Sequence, residues 1–316
     1  MRRISLLLTL FATALACLLH AVPAQAQPIR VFVALTGADA NPCTFASPCK
    51  SVQHAHDVVA AGGEIRMLDP GSYGLLTITK AISILGDGHG GIAASNGATA
   101  ITINAGATDK INLRGLVIEG FGTGNFGIQF NTGASLNIQD SIIRNFTAIG
   151  IFFTPSTASQ LNVSRTLVSD LASGADAVVI RPTGGPGTLP VLAVLDHVVL
   201  DQGHNGLLVF GNSADQGAQV TIADSVISNQ SNVGIFGQTS GFGAIDVMVR
   251  NCSVSNNATG ISTSGSPVFV RVTRSTITAN GIGLTAGIST NLVSYGDNNL
   301  DGNTTDGAPT STLALC

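Results

Sequence analysis

Ile222-Ala-Asp-Ser-Val-Ile227 is one copy of a six-residue pattern that recurs along the chain from about residue 111. Each copy begins and ends with an aliphatic residue, and equivalent positions are 23 to 31 residues apart. Most copies are followed by Asn or Asp, a short turn and a second aliphatic strand that often begins near Gly. The other copies are Leu113–Ile118, Ile138–Ile143, Val163–Val168, Val194–Val199, Val249–Val254 and Val272–Ile277.

This repeat predicts a solenoid of stacked strands. Strands of about three to five residues cannot bury a core alone, but coils about 4.8 Å apart can pair with the coils above and below. The frame of leucine-rich repeats is missing, the period is too short for a propeller blade, and a sandwich would not give in-register columns. We therefore expect an all-β fold, a right-handed parallel β-helix with three short strands per coil.

Aligning the copies assigns positions to sides of the predicted sheets. The last position is always aliphatic and is expected to face inward. Two residues earlier, period-2 alternation places small polar groups on the same inner side, in a column of Ser141, Thr166, His197, Ser225, Cys252 and Ser275. A third column is expected in the following turn, where Asn and Asp tolerate left-handed backbone conformations: Asn145, Asp170, Asp201, Asn229, Asn256 and Asn280.

The region before the repeat is predicted to form a cap. Ile29–Leu35 indicates a first strand, and Ser51–Ala61 indicates a short helix that begins at Ser51 and ends before Gly62. A helix there would cover the open end of the apolar core, as terminal caps do in solenoids. The expected division is a cap over residues 27–63, a β-helix over residues 64–300 and a C-terminal tail over residues 301–316.

The first 26 residues are typical of a cleavable signal peptide. Met1-Arg2-Arg3 precedes an apolar stretch from Ile4 to Leu19, and Ala24-Gln25-Ala26 supplies small residues before a cut at Gln27. The apolar stretch is short for a membrane span. We therefore expect an exported protein, periplasmic or extracellular, without a membrane span.

Export permits disulfides among the four cysteines that follow the signal. Cys43 and Cys49 enclose five residues beside two prolines, and a local bridge is expected there. Cys252 and Cys316 can pair only if the C-terminal tail folds back, which the sequence leaves open. The spacing of cysteines and histidines does not indicate zinc.

Composition limits the partners. Because Arg2 and Arg3 belong to the predicted signal, the remaining chain has a net charge of −6 rather than −4. Nucleic-acid binding needs a clustered basic face, so no nucleic-acid partner is expected. Trp is absent and only two residues are Tyr, so the sequence shows no aromatic platform for sugars. The chain is expected to be a monomer.

Five segments of the cap are distinctive: Val31–Gly37, Asp39–Pro42, Pro48–Ser51, Gly62–Ile65 and Pro70–Tyr73. Together they resemble the N-terminal signature of pectin-lyase-like right-handed β-helix proteins, and the coil pattern extends the resemblance over nearly the whole chain after the signal. That superfamily includes pectate and pectin lyases, polygalacturonases, other polysaccharide-active enzymes and adhesins. The resemblance therefore implies a fold, and it does not select one activity.

A polysaccharide lyase needs acidic residues that hold Ca²⁺ against a uronate, and an Arg or Lys as the base. Asp140, Asp196 and Asp224 are expected to occupy one column, with Arg165 between the first two. They are the candidate calcium ligands, and Arg165 is a candidate catalytic residue. Opposite charges on adjacent coils could equally form a structural ladder that holds register.

The densest titratable group lies in the coil from about residue 191 to 218. It contains Asp196, His197, Asp201 and His204, with Arg181 one coil earlier, and these residues are further catalytic candidates. The loops 183–190 and 212–219 flank this coil and are expected to wall a cleft. The structural alternative leaves His197 in the inner column and Asp201 in the turn column.

Two function classes follow. We favour an exported β-helix that binds, or is displayed to, an extracellular glycan or protein surface without catalysis, because the chain contains no complete motif of an enzyme family. The alternative is a lyase or hydrolase of acidic, uronate-containing polysaccharide, with Ca²⁺ as the cofactor of a lyase. The sequence indicates no other cofactor.

Overall fold

The computed structural model describes residues 27–314 except residues 186, 212–215 and 242, so the predicted signal peptide and Cys316 lie outside the described residues. One helix, α1 (Val52–Val58), precedes most of the strands. The first strands are β1 (Arg30–Val33), β2 (Gly63–Met67), β3 (Gly71–Ser72), β4 (Leu76–Ile78), β5 (Ile82–Ala93), β6 (Thr99–Asn104), β7 (Lys110–Thr132), β8 (Ser135–Gln139), β9 (Ile142–Phe153), β10 (Gln160–Ser164), β11 (Leu167–Ser169) and β12 (Asp176–Ile180). The later strands are β13 (Val191–Asp196), β14 (Val199–Gly211), β15 (Ala218–Ala223), β16 (Val226–Thr239), β17 (Ile245–Arg250), β18 (Ser253–Ser255), β19 (Thr259–Ser264), β20 (Val268–Thr273), β21 (Thr276–Thr278), β22 (Ile282–Ala286), β23 (Asn291–Ser294), β24 (Asn299–Leu300) and β25 (Ser311–Thr312).

Pairing between successive coils sorts the strands into three parallel sheets around one interior. Sheet 1 contains β1, β2, β8, β10, β13, β15, β17, β20, β23 and β25, with the first parts of β5 and β7. Sheet 2 contains β3, β11, β18, β21 and β24, and sheet 3 contains β4, β6, β12, β19 and β22. The long strands β7, β9, β14 and β16 continue from sheet 2 into sheet 3. The predicted right-handed parallel β-helix is confirmed.

Aliphatic and aromatic side chains fill the interior. Phe130 and Phe153 stack on neighbouring coils with ring centroids 4.6 Å apart, and both are fully buried. Each fully buried large apolar side chain contributes about 1.5–3 kcal/mol. Close packing explains why glycine often begins the second strand. At Gly234, for example, a Cβ would lie only 2.7 Å from the backbone oxygen of Gly260 on the next coil.

The coil that contains β13 is shifted by one residue relative to the predicted alignment. Leu195, not Val194, pairs with Val163 on the preceding coil. Val198 therefore occupies the inner polar column at this coil, and the side chain of His197 is 61% exposed. The prediction that His197 faces inward is wrong. Because β13 is apolar at every position up to Leu195, alternation could not fix its register.

The same one-residue shift changes the positions that were predicted for two acidic residues. Asp196 pairs with Ser164 and Ala223, so it does not share the column of Asp140 and Asp224 as predicted. Asp201 also leaves its predicted place, because Gln202 takes the left-handed turn position with a φ of 53°.

Buried amides form a ladder inside the later coils, one position beyond the turn column. Asn257, Asn280 and Asn303 each accept a hydrogen bond, at 2.9–3.0 Å, from the backbone N–H of the equivalent residue one coil earlier. Asn280 therefore belongs to this inner ladder, and Ala279 takes the left-handed turn position that was predicted for Asn280. Each of these asparagines therefore accepts from a buried backbone N–H that would otherwise have no hydrogen-bond partner.

The cap covers the first coils. Ser51 caps α1 by accepting a hydrogen bond from the His54 N–H, and Val52 and Ala55 of the helix are buried. The predicted disulfide between Cys43 and Cys49 is present, with Cα atoms 4.6 Å apart. Its loop continues sheet 1, because the backbone N–H groups of Phe32 and Cys49 donate to Cys43 and Phe32 respectively.

The sequence left open whether Cys252 pairs with Cys316 and whether the C-terminal tail joins the stack. Cys252 is buried and has no disulfide partner among the described residues, while Cys316 lies outside them. Part of the tail extends the stack, since β25 pairs with β23 and Thr305 bridges to Ile282. In the described part of the chain, α1 is far too short to cross a membrane, and no other helix there could do so.

Candidate functional site

A column of polar residues follows sheet 1 where the chain turns into sheet 2. Its members all have left-handed backbones with φ between 45° and 53°, because the turn is the same on each coil. Small polar residues tolerate this conformation best, although Arg and His occupy it here. The column contains Asp140, Arg165, His197, Asp224, Asn251 and Arg274.

Asp140 lies between two arginines. Arg165 Nε donates to Asp140 Oδ1 at 2.6 Å, and Arg114 Nε donates to Oδ2 at 3.2 Å. The hydrogen bond from Arg165 and its charge hold the pKa of Asp140 below the ordinary range of an aspartate. The same pair raises the pKa of Arg165. A guanidinium bound in this way is a poor general base, which counts against the role predicted for Arg165.

Two members of the column, His197 and Asp224, come together with Asp196, which directly precedes the column. The ligand atoms of Asp196, His197 and Asp224 lie within 4.8 Å of one another. His197 Nδ1 lies 2.8 Å from Asp196 Oδ2. Asp224 is already engaged, because Asn251 Nδ2 donates to its Oδ1 at 2.5 Å and Arg250 donates to its Oδ2 at 3.1 Å. The hydrogen bond from Asn251 lowers the pKa of Asp224, and the charge of Arg250 adds to the effect.

The remaining catalytic candidates are dispersed over other surfaces. Asp201 lies in sheet 2 and accepts hydrogen bonds from Ser228 and Asn229. His204 lies at the turn into sheet 3, with Nδ1 3.4 Å from Ser231 Oγ. Arg181 follows β12 in sheet 3. Among the described residues, which omit positions 212–215 of one predicted wall, these three candidates do not converge with Asp196 and His197.

A groove lies on sheet 1, at the end of the strands opposite to Asp196. It has a volume of about 530 Å³, and Leu189 and Pro190 form part of its wall. Gln216 holds this wall in place by donating to the Leu189 carbonyl at 3.0 Å. A second groove of about 480 Å³ continues from the first and shares Leu192 with it. The other polar residues that line the first groove are Lys110, Ser135, Ser159, Gln160 and Gln219.

Arginines are concentrated on this side of the molecule. Seven of the nine arginines after residue 26 lie on sheet 1 or in the turn that follows it: Arg30, Arg66, Arg114, Arg165, Arg250, Arg271 and Arg274.

Pairs of these arginines share single carboxylates in the first coils. Arg30 and Arg66 both donate to Glu64 Oε1, at 2.7 and 3.1 Å, just as Arg114 and Arg165 share Asp140. We call Arg30, Arg66, Lys110, Arg114 and Arg165 the basic half of sheet 1. Five positive charges there face four carboxylates, those of Glu64, Asp87, Asp140 and Asp196.

Comparison with known proteins bears on the fold. No protein-family model and no curated protein matches the chain. A crystal structure of the pectate lyase Pel9A is similar over 87% of this chain and 79% of its own, with 15% identity and a TM-score of 0.55. The chain has the pectin-lyase-like parallel β-helix fold. The A-module of the Azotobacter vinelandii mannuronan C-5 epimerase AlgE4 (11% identity, 81% and 91% coverage, TM-score 0.39) and a rhamnogalacturonan lyase (12%, 84% and 73%, 0.40) are more distantly similar.

The predicted calcium ligands of this pectin-lyase-like β-helix do not fit Ca²⁺, which takes six to eight oxygen ligands. Asp140 and Asp224 are three coils apart, which is about 14 Å at the spacing of stacked strands. Each is bonded to arginine, and only Asp196 comes close to Asp224, with the nitrogen of His197 beside them. We therefore derive no calcium-dependent step.

The sequence did not reveal the basic half of sheet 1. The net charge of the chain is negative, and the five cations are spread from residue 30 to residue 165. The signal that could have revealed them is their place in the repeat, since Arg114 and Arg66 occupy equivalent positions two coils apart.

Proposed function

We propose that this pectin-lyase-like β-helix is exported and binds an anionic polysaccharide along sheet 1 without cleaving it. One observation carries the proposal: Glu64 and Asp140 are each bound by two arginines. Positive charge is therefore in excess on this face of an acidic chain. A guanidinium that shares a carboxylate keeps donors free for a second one.

The shape of sheet 1 suits a chain of sugars. Arg66 and Arg114 line one groove of about 430 Å³ at the end of the strands near Asp196, and the groove of about 530 Å³ lies on later coils of the same sheet at the opposite end of the strands. The walls of the latter groove combine amides, hydroxyls and the apolar surface of Leu192. Such walls can bond sugar hydroxyls while the arginines bind carboxylates.

Absence of cleavage is supported by the state of the candidate catalytic groups. Arg165 is held by Asp140, and Asp224 is held by Asn251 and Arg250. Asp201, His204 and Arg181 lie on other sheets. A lyase or hydrolase would need free groups that converge on one bond.

The first experiment measures binding of the mature protein to polygalacturonate, with neutral dextran as the comparison ligand. The double variant Arg66→Gln/Arg114→Gln should weaken binding to polygalacturonate at least about tenfold, since a hydrogen bond to a charged group contributes about 1.5–3 kcal/mol. Folding should be retained, because Arg30 and Arg165 still neutralise Glu64 and Asp140. Arg144→Gln, on sheet 2, is the matched control and should bind like the wild type.

Salt and product assays complete the test. Affinity should fall as ionic strength rises, because exposed charges are screened. Equal binding to dextran and polygalacturonate would refute the ionic proposal. Unsaturated ends that form only with Ca²⁺ and disappear in Arg165→Ala or Asp196→Ala would establish a lyase instead.

A further inference from the structure

Three asparagines face outward on sheet 1 and form a ladder across consecutive coils. Asn112, Asn137 and Asn162 pair with one another in register. The Nδ2 of Asn162 donates to the Oδ1 of Asn137, and the Nδ2 of Asn137 donates to the Oδ1 of Asn112, both at 2.8 Å. The Nδ2 of Asn112 continues the series by donating to the Oγ of Ser83 at 3.2 Å. We call the three asparagines the outer amide ladder, in contrast to the buried ladder of the later coils.

Each member of the outer amide ladder keeps hydrogen-bonding capacity for a ligand. An Asn side chain has two N–H donors and an oxygen with two lone pairs. Among the described residues, the bonds along the ladder use one donor of each Asn and no more than one lone pair. Asn112 and Asn162 are exposed, and Asn137 between them is partly exposed. One donor and one acceptor therefore recur on each coil, about 4.8 Å apart, where hydroxyl groups of a ligand can bond both.

The outer amide ladder lies between two cations of the basic half of sheet 1. Lys110, Asn112 and Arg114 are alternate residues of β7, so all three face outward. About 7 Å of strand separates Asn112 from each cation. Lys110 lines the groove at one end of the strands, and Arg114 lines the groove at the other end. A polyanion that contacts both cations therefore crosses the ladder.

The three strands that carry the ladder have no acidic residue at their outward positions. Beside the asparagines these positions hold Lys110, Arg114, Ser135, Gln139, Gln160 and Ser164. On the next coil Val194 takes the place of asparagine and Leu192 takes the place of Gln160. Amides, hydroxyls and cations are thus confined to the coils that carry the ladder, and aliphatic residues follow them.

We infer that the outer amide ladder makes this face selective for sugar chains among polyanions, because it bonds hydroxyl groups while the cations bond carboxylates. This selectivity rests on the proposed polysaccharide binding and extends it. Charge attraction acts over a distance and does not distinguish one polycarboxylate from another. Hydrogen bonds need donors and acceptors at defined positions. The register of the coils does not require the ladder, since the buried Leu136 and Ile138 beside Asn137 already determine it.

Binding of the mature protein to polygalacturonate and to poly-L-glutamate of matched length tests the selectivity. Both polymers carry one carboxylate per unit, but only polygalacturonate carries hydroxyls. The wild type should bind polygalacturonate about tenfold more tightly, as about two net hydrogen bonds would give. Asn112→Val/Asn137→Val/Asn162→Val should bind both polymers alike, with its affinity for poly-L-glutamate unchanged. Valine suits this column, because Val194 occupies it one coil later.

Three controls separate hydrogen bonding from charge and from loss of fold. The affinities of the wild type and the triple variant should fall equally as ionic strength rises, because no charge is altered. Asn131→Val removes an amide bond of the same length, from Asn131 to Asn104 outside sheet 1, and should bind like the wild type. Asn137→Val alone perturbs the fold least and should lose about threefold in affinity for polygalacturonate, from about one hydrogen bond.

The outcomes distinguish the selectivity of the ladder from ionic binding itself. Equal binding of both polymers by the wild type, unchanged in the triple variant, would overturn the selectivity and leave the ionic binding of sheet 1 intact. Binding of neither polymer would overturn the proposed function and the selectivity with it. A folded triple variant that still prefers polygalacturonate tenfold would assign the preference to other groups and refute the role of the ladder.

Discussion

His56 links the protonation of one side chain to the stability of the cap. Its ring is buried in α1, where Nε2 accepts a hydrogen bond from the Thr79 N–H at 3.2 Å and Nδ1 lies 3.1 Å from Asp57. Burial lowers the pKa of His56, and the hydrogen bond with Asp57 only partly offsets that effect. A protonated Nε2 also could not accept from Thr79.

The sign of the pH dependence follows from that shift. The unfolded chain takes up this proton near pH 6.5, whereas the folded chain takes it up only at lower pH. The contribution of neutral His56 to the free energy of unfolding is therefore fully present above about pH 6.5 and is lost as the pH falls below that value. Thermal unfolding between pH 8 and pH 5 should show this loss. His56→Gln should flatten the profile, whereas His89→Gln, at an exposed position of β5, should leave it unchanged. An equal slope in both variants would assign the loss to other groups.

At the scale of elements, the inner amide ladder should stabilise more than the ladders on the surface. Asn280 donates to the carbonyl oxygens of Val254 and Thr278 and accepts from the N–H of Asn257, all in the interior. Asn280→Ala leaves several buried groups unpaired, at about 1–3 kcal/mol for each group. Chemical unfolding should therefore show a loss of several kcal/mol.

The matched control is an amide of the same kind in water. Asn162 on sheet 1 is exposed, and its side chain donates to Asn137 at 2.8 Å. Asn162→Ala should cost no more than about 0.5 kcal/mol, as surface substitutions usually do. If the two variants were equally unstable, burial would not be the reason that the ladder matters.

The sequence predicted the register of a strand correctly only where polar and aliphatic residues alternate along it. Copies with a polar residue between aliphatic ones, such as Ile222–Ile227, gave the correct register, and the five-residue Cys43–Cys49 loop gave the correct bridge. The strand before His197 lacks such alternation, so its register was wrong by one residue. The pairing of Asp140 with Arg114 and Arg165 depends on contacts about 25 residues apart, which spacing alone does not determine.

At the scale of the whole molecule, most of the arginines lie on one sheet, where carboxylates pair with several of them. The basic half of sheet 1 lies on a chain whose net charge after residue 26 is −6, so acidic groups outnumber basic ones over the rest of that chain. Sheet 3 combines an apolar centre with one charge of each sign at β12. The three sheets can therefore present different surfaces while they share one core, because outward residues of a coil do not contribute to inner packing.

The solenoid architecture also determines how far a local loss of stability extends along the chain. In a solenoid each coil contacts only its neighbours, so stability is close to a sum of local terms. The Cys43–Cys49 bridge closes a loop of seven residues that pairs with β1. Replacing both cysteines with serine should remove about 2 kcal/mol by the chain-entropy relation. Amide hydrogen exchange should then accelerate in β1 and β2 and remain unchanged in β17 and β20. Equal acceleration in all four strands would mean that the cap and the distant coils unfold as one cooperative unit, contrary to nearest-neighbour behaviour.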